Sequence, residues 1–166
     1  MTTAKGIAIG AALALLPPAA WTAPAFPRHP TPAQVEARLA RYGAQATVTA
    51  LFDQHRWDYV AGRIGDGGAA WVALAVKLAP GADAGTAEDL PISLAFALPL
   101  DAPAVLAAIQ GGQFDVGDVC GAPFIEGTVR DVPAYLRRAT AAVTRVSDPA
   151  LADTRAACLQ TLAKAG

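Results

Sequence analysis

Charge is scarce in this chain: Asp, Glu, Lys and Arg together make up 16% of 166 residues, with a formal net charge of −1. That balance excludes a polyelectrolyte tail and gives no electrostatic reason to expect nucleic acid or an anionic membrane surface as a partner. Histidine is scarcer still, two in the whole sequence, and cysteine likewise two. A zinc centre of the usual His/Cys type lacks ligands if the cysteines are bridged. Val, Ile and Thr are scattered and form no period-2 alternation, which argues against strands. Phosphate loops are also absent. Gly65-Asp66-Gly67-Gly68 and Gly111-Gly112 follow no strand pattern and lead to no Lys-Ser or Lys-Thr.

Alanine fills the space these residues leave. It accounts for about a quarter of the chain and is the strongest helix former. With 54% hydrophobic residues the chain can bury a real core, and the composition predicts an all-α fold. From Trp71 the apolar residues Trp71, Leu74, Ala75 and Leu78 recur at i, i+3, i+4 and i+7. Trp57, Val60, Ala61 and Ile64 repeat that spacing one segment earlier. Each Trp-led segment closes on Gly or Pro. Such spacing predicts a right-handed stack of short antiparallel helices, HEAT-like or α-solenoid in type, of about six to eight helices.

Cap signals place the helix starts. Thr31-Pro32, Asp101 with Pro103, Asp131 with Pro133 and Asp148-Pro149 each put a capping side chain just before a proline in the first turn, where its missing N–H costs nothing. Val35, Leu39 and Tyr42 share a face of the first helix, and Gly43 leaves open whether it is one bent helix or two. Pro91 conflicts with a helix running from Thr86 to Leu98, so the pattern favours Asp89 as N-cap, with 86–89 a preceding turn. The glycines between Gln110 and Arg130 predict a long irregular connection of about 20 residues.

At the N-terminus Lys5, the apolar run Gly6–Leu16 and Ala23-Pro24-Ala25 have the three-part layout of a secretory signal peptide, residues 1–25. The run is too short to span a bilayer, so no membrane span is expected after cleavage. Residues 26–32, FPRHPTP, read as an extended leader in which His29 is a solvated linker residue. Residues 33–166 read as one helical domain. The location expected is periplasmic or secreted.

That compartment bears on Cys120 and Cys158. An oxidising environment favours one disulfide that ties the glycine-rich connection to the last helix, and two buried free thiols are the alternative. A redox pair is disfavoured, since there is no C-x-x-C. The remaining candidates for chemistry are few. A Ser–His–acid triad would have to combine Ser93 or Ser147 with His55, and Glu88-Asp89 and Asp115/Asp118 read as cap or loop acids. No catalytic residue, metal site or cofactor is expected. Arg130, Arg137, Arg138 and Arg145 are the one local charge excess, either a solvated face or a patch for an acidic protein partner. Of the aromatics, Trp57 fits the core stripe and Tyr59 points away from it, which makes Tyr59 the candidate contact residue.

The elements YGAxATVxALF, WxxVxxxI, WVALAxxLxPGADAGTAExL and PxxVL, between Tyr42 and Ile109, resemble small exported helical proteins of Gram-negative bacteria that are mostly uncharacterised. The resemblance implies export and a compact helical-repeat fold, and it brings no catalytic residues. The architecture is also similar to that of immunity proteins that neutralise periplasmic secretion effectors. The function expected is a non-enzymatic protein-binding module of the periplasm, of immunity or inhibitor type, with a protein partner and no nucleic acid. A structural or envelope-stress component, and a small hydrolase, are the alternatives.

Overall fold

A computed structural model describes residues 24–124 and 128–166. Their order is α1 (Pro32–Asp53), α2 (Trp57–Gly65), α3 (Ala69–Leu78), a 3-10 turn (Ala79–Gly81), α4 (Ala84–Ala97), α5 (Ala102–Gln110), α6 (Val116–Cys120), α7 (Val132–Thr144), a second 3-10 turn (Pro149–Leu151) and α8 (Ala152–Lys164). The fold of the described residues is all-α, without a strand. The expected signal peptide lies outside them but for Pro24 and Ala25. None of the described helices is long and apolar enough to cross a membrane.

Alternate helices pack on one another. α1 lies on α3 and α3 on α5, while α2 lies on α4 and α4 on α6. The spacing of apolar residues explains why. Trp57, Val60 and Ile64 of α2 are buried, as are Trp71, Leu74, Ala75 and Leu78 of α3 and Leu90 and Leu94 of α4. Each helix thus turns one stripe inward. Thr31, Asp101 and Asp131 cap α1, α5 and α7 through their side chains, each with a proline in the first turn, and Asp148 caps the second 3-10 turn in the same way.

The start of α4 departs from the expectation. Its N-cap is Asp83, not Asp89. The Asp83 side chain accepts from the Thr86 N–H, and the Thr86 hydroxyl accepts from the Asp83 N–H at 2.9 Å. Bonds from the Thr86 hydroxyl and N–H hold the Asp83 carboxyl below the ordinary carboxylate range. Residues 86–89 are therefore helical, and Pro91 sits in the helix interior. An interior proline costs about 3 kcal/mol. The reciprocal cap and the buried Leu90, Leu94, Ala95 and Ala97 offset it. A second proline acts on the same helix. Pro99 has no N–H to give the Ala95 carbonyl, and the buried Tyr135 hydroxyl of α7 donates there instead at 2.9 Å. Burial of that phenol pushes its pKa up.

Two glycines answer to the backbone around them. Gly43, at φ +80°, breaks the helical backbone within α1. Gly81 is forced by contact: a Cβ there would lie 2.2 Å from the Ala44 carbonyl carbon and 2.3 Å from the Gln45 nitrogen. The 3-10 turn therefore seats on the α1 backbone just after its kink.

The proline-rich leader is laid down on the helices. Phe26 and Pro30 are buried. The Phe26 N–H donates to Gln54 Oε1 at 2.7 Å, and Arg56 Nε donates to the Pro27 carbonyl at 3.1 Å. The Arg38 guanidinium lies over the Phe26 ring, 4.7 Å from its centroid. A pre-extended proline segment loses little further conformational freedom on docking, which helps it to lie in place.

The connection after α5 is likewise more regular than expected. It contains α6, a short helix that places the buried Cys120 against α8. Cys120 and Cys158 form a disulfide, with 5.4 Å between their Cα atoms.

Candidate functional site

A groove opens between α2 and α4, and their helical spacing builds it. Asp58, Ala61, Gly62 and Gly65 on α2 recur at i, i+3, i+4 and i+7. Asp89, Ile92, Ser93 and Phe96 on α4 do the same. The two stripes run side by side in the same direction. Trp57 Nε1, at the start of α2, donates to Asp89 Oδ2 at 2.7 Å, and Gly65, at its end, would put a Cβ 3.3 Å from Phe96 Cβ. Asp66 and Leu100 complete the lining of a cavity of about 530 Å³.

Each position has a distinct part. Gly62 leaves the α2 wall bare, since a Cβ there meets nothing within 4 Å. Gly65 lets α4 approach closely. Ile92 and Phe96 are half-buried, and Leu100 is 67% exposed at the far end, an unusual place for a large apolar side chain. Ser93 is 7% exposed in the floor, and its hydroxyl makes no hydrogen bond among the described residues. The carboxylates differ. Asp89 accepts from the Trp57 indole, Asp66 pairs with Arg63 at 2.8 Å, and Asp58 has no hydrogen-bond or ionic partner among the described residues.

The residues singled out from sequence lie elsewhere. Arg137 and Arg138 are exposed on α7, Arg145 at its C-cap and Arg130 just before it; none makes an ion pair among the described residues. Arg145 edges a smaller cleft with Pro99, Leu100 and Pro103, so Leu100 stands between that cleft and the α2–α4 groove. Tyr59, the candidate contact residue, is half-buried. His29 of the leader stacks on it at 4.8 Å, and Trp71 meets it edge-on at 6.4 Å. His29, expected to be a solvated linker residue, is exposed but engaged in that stack. The segment before α1 folds back over α2, which sequence spacing alone does not reveal.

Of the triad candidates, Ser93 lies in the groove floor, whereas His55 is exposed in the turn after α1 and Ser147 is exposed after α7. Asp115 and Asp118 edge a separate small cleft with Pro91 and Phe114. Among the described residues no group of three or more His, Cys, Asp or Glu side chains is placed to hold a metal ion.

The groove escaped sequence reading although its signal is present. Beside the core stripe of α2 runs a second stripe, headed by an aspartate and made of Ala and Gly, and α4 carries a matching one. Only the pairing of α2 with α4 turns the two stripes into one feature.

No protein-family model, curated protein or solved structure matches the chain.

Proposed function

We propose that the protein is an exported, non-enzymatic protein-binding module of the periplasm, of immunity or inhibitor type. The α2–α4 groove carries the reading: an apolar trough with a bare glycine wall, open to solvent along two helical turns, suits the side chains of a protein partner. Its lining brings carboxylates and a serine together without a histidine, lysine or cysteine to activate a nucleophile. The alternate-neighbour packing, with α2 and α4 running in the same direction, supports reading the fold as a short α-solenoid of stacked antiparallel helix pairs. The Cys120–Cys158 bridge supports an oxidising compartment.

The test is recovery of a partner by the tagged full chain, cross-linked in the cells that make it, in parallel with Gly62→Leu. Leucine at this position fills the groove, and replacing a helical glycine does not weaken α2. One partner in stoichiometric yield with the wild type, absent with the variant, is the expected outcome. Recovery of the same proteins in the same amounts by both, or of none by either, overturns the reading. An immunity role further requires a toxin gene beside the gene for this chain.

A further inference from the structure

We infer that the α2–α4 groove takes a basic amphipathic helix of its partner, with an apolar side chain among Ile92, Phe96 and Leu100 and a lysine or arginine at the Asp58 end. The inference rests on the protein-binding reading above and specifies the chemistry of the partner.

Charge and shape both point to that occupant. The rim carries Asp58, Asp66 and Asp89, and among the described residues Arg63 is the one cation paired into it, so the groove keeps an excess of negative charge. Asp58 and Asp89 head the two stripes, and Leu100 lies at the opposite end. Asp66 is at the Leu100 end too, but it is paired with Arg63, so the carboxylate without an ionic partner among the described residues is Asp58, at the end away from Leu100. Asp58 to Gly65 spans about 10 Å of helix at 1.5 Å per residue, or about two turns. A partner helix laid along the groove would match it with a cation and an apolar residue about two turns apart.

Ser93 gives a second, independent sign. The residue is 7% exposed, its hydroxyl makes no hydrogen bond among the described residues, and the oxygen is not sealed from solvent, so a donor and an acceptor stand open to a ligand reaching the floor. Gly62 and Ala61 keep the α2 wall low, and a Cβ added at Gly62 meets nothing within 4 Å. An acidic or uniformly apolar helix would meet the same trough without a counter-charge at Asp58.

The probe is a synthetic helical peptide with leucines and lysines at that spacing, titrated against the full-length mature protein by calorimetry at two salt concentrations. Its counterpart carries glutamate for every lysine. Two variants accompany the wild type: Gly62→Leu, and the double change Asp58→Asn with Asp66→Asn. Asp89 is left alone because the Trp57 indole depends on it. The lysine peptide should bind more weakly as salt rises, and each variant should weaken it by about tenfold, the scale on which altering a central side chain of an interface acts. The glutamate peptide should not bind. Equal affinity for both peptides, or an unchanged affinity in Gly62→Leu, overturns the inference. So does sedimentation showing a dimer that Gly62→Leu dissolves, because a second copy would then fill the groove. If the cellular partner is lost in Gly62→Leu yet retained undiminished by the double Asn variant, the protein-binding reading stands and the basic-helix assignment falls.

Discussion

The stack from α1 to α5 and the C-terminal part from α6 to α8 are held by different means. In the first, α4 alone buries Leu90, Leu94, Ala95 and Ala97, and α3 buries Trp71, Val72, Leu74, Ala75 and Leu78. Those helices stay in place by removing apolar surface from water. In the second, α6 has five residues, and the buried residues of α8 are Cys158 and Leu162. A single-turn helix cannot nucleate or bury enough surface on its own. The covalent bond between Cys120 and Cys158 fastens α6 to α8, while α7 buries Tyr135, Leu136, Ala139, Ala142 and Val143, and Tyr135 ties it back to the Ala95 carbonyl of α4. The contrast teaches where each kind of cross-link is worth having: apolar stripes where a helix turns several residues inward, a disulfide where a five-residue helix meets one that buries little.

Three changes probe that contrast. The largest effect belongs to the disulfide. Replacing both Cys120 and Cys158 by serine should lower stability by about 4 kcal/mol, from the entropy of a loop closed across a separation of 38 residues. Denaturant unfolding measures the loss, and hydrogen exchange locates it. Amides of α6 and α8 should open first while those of α2 and α4 keep their protection, and equal loss in both regions would break the comparison.

Within the apolar stack, Gly81→Ala should cost about 3 kcal/mol, because the added Cβ would lie 2.2 Å from the backbone of Ala44 and neither chain segment can yield freely. A melting temperature unchanged by this substitution would mean that the turn does not seat on α1 as described.

The smallest effect is at the joint between the two parts. Tyr135→Phe keeps the ring packed against Phe124, at 4.6 Å between centroids, and removes only the hydroxyl. It should cost about 1 kcal/mol by removing the shorter of two bonds to the Ala95 carbonyl, which keeps the one from the Leu98 N–H at 3.3 Å. Thermal unfolding of the variant measures this. The parallel change Tyr59→Phe, on a half-buried ring whose hydroxyl makes no hydrogen bond among the described residues, serves as its control.

Much of the helical layout was legible. Thr31, Asp101 and Asp131 announced three helix starts, because an N-cap acts within a few residues and needs nothing distant. The α4 start was misread for a related reason. Pro91 is a strong local signal against a helix interior, yet the Asp83–Thr86 cap and the burial of residues on both sides outweigh it. The arginines of α7 were read as exposed and are. Tyr59 points away from the core stripe of α2, as its spacing suggests, yet is half-buried, because the leader whose His29 stacks on it returns from outside the helix to which Tyr59 belongs.

By itself the sequence determined that the described chain is helical, where three of its helices begin, and that Cys120 and Cys158 have each other as the one possible disulfide partner within the chain. These depend on alanine content, on caps that act over one turn and on there being two cysteines to pair. Tertiary structure alone decided that α2 lies along α4, that the leader folds onto α2, and that a carboxylate-rimmed groove results. A helix face acquires a function only through what lies opposite it. The stripe from Asp58 to Gly65 has the same periodicity whether it faces water or another helix, and it becomes a groove wall only once Asp89 to Phe96 stands beside it.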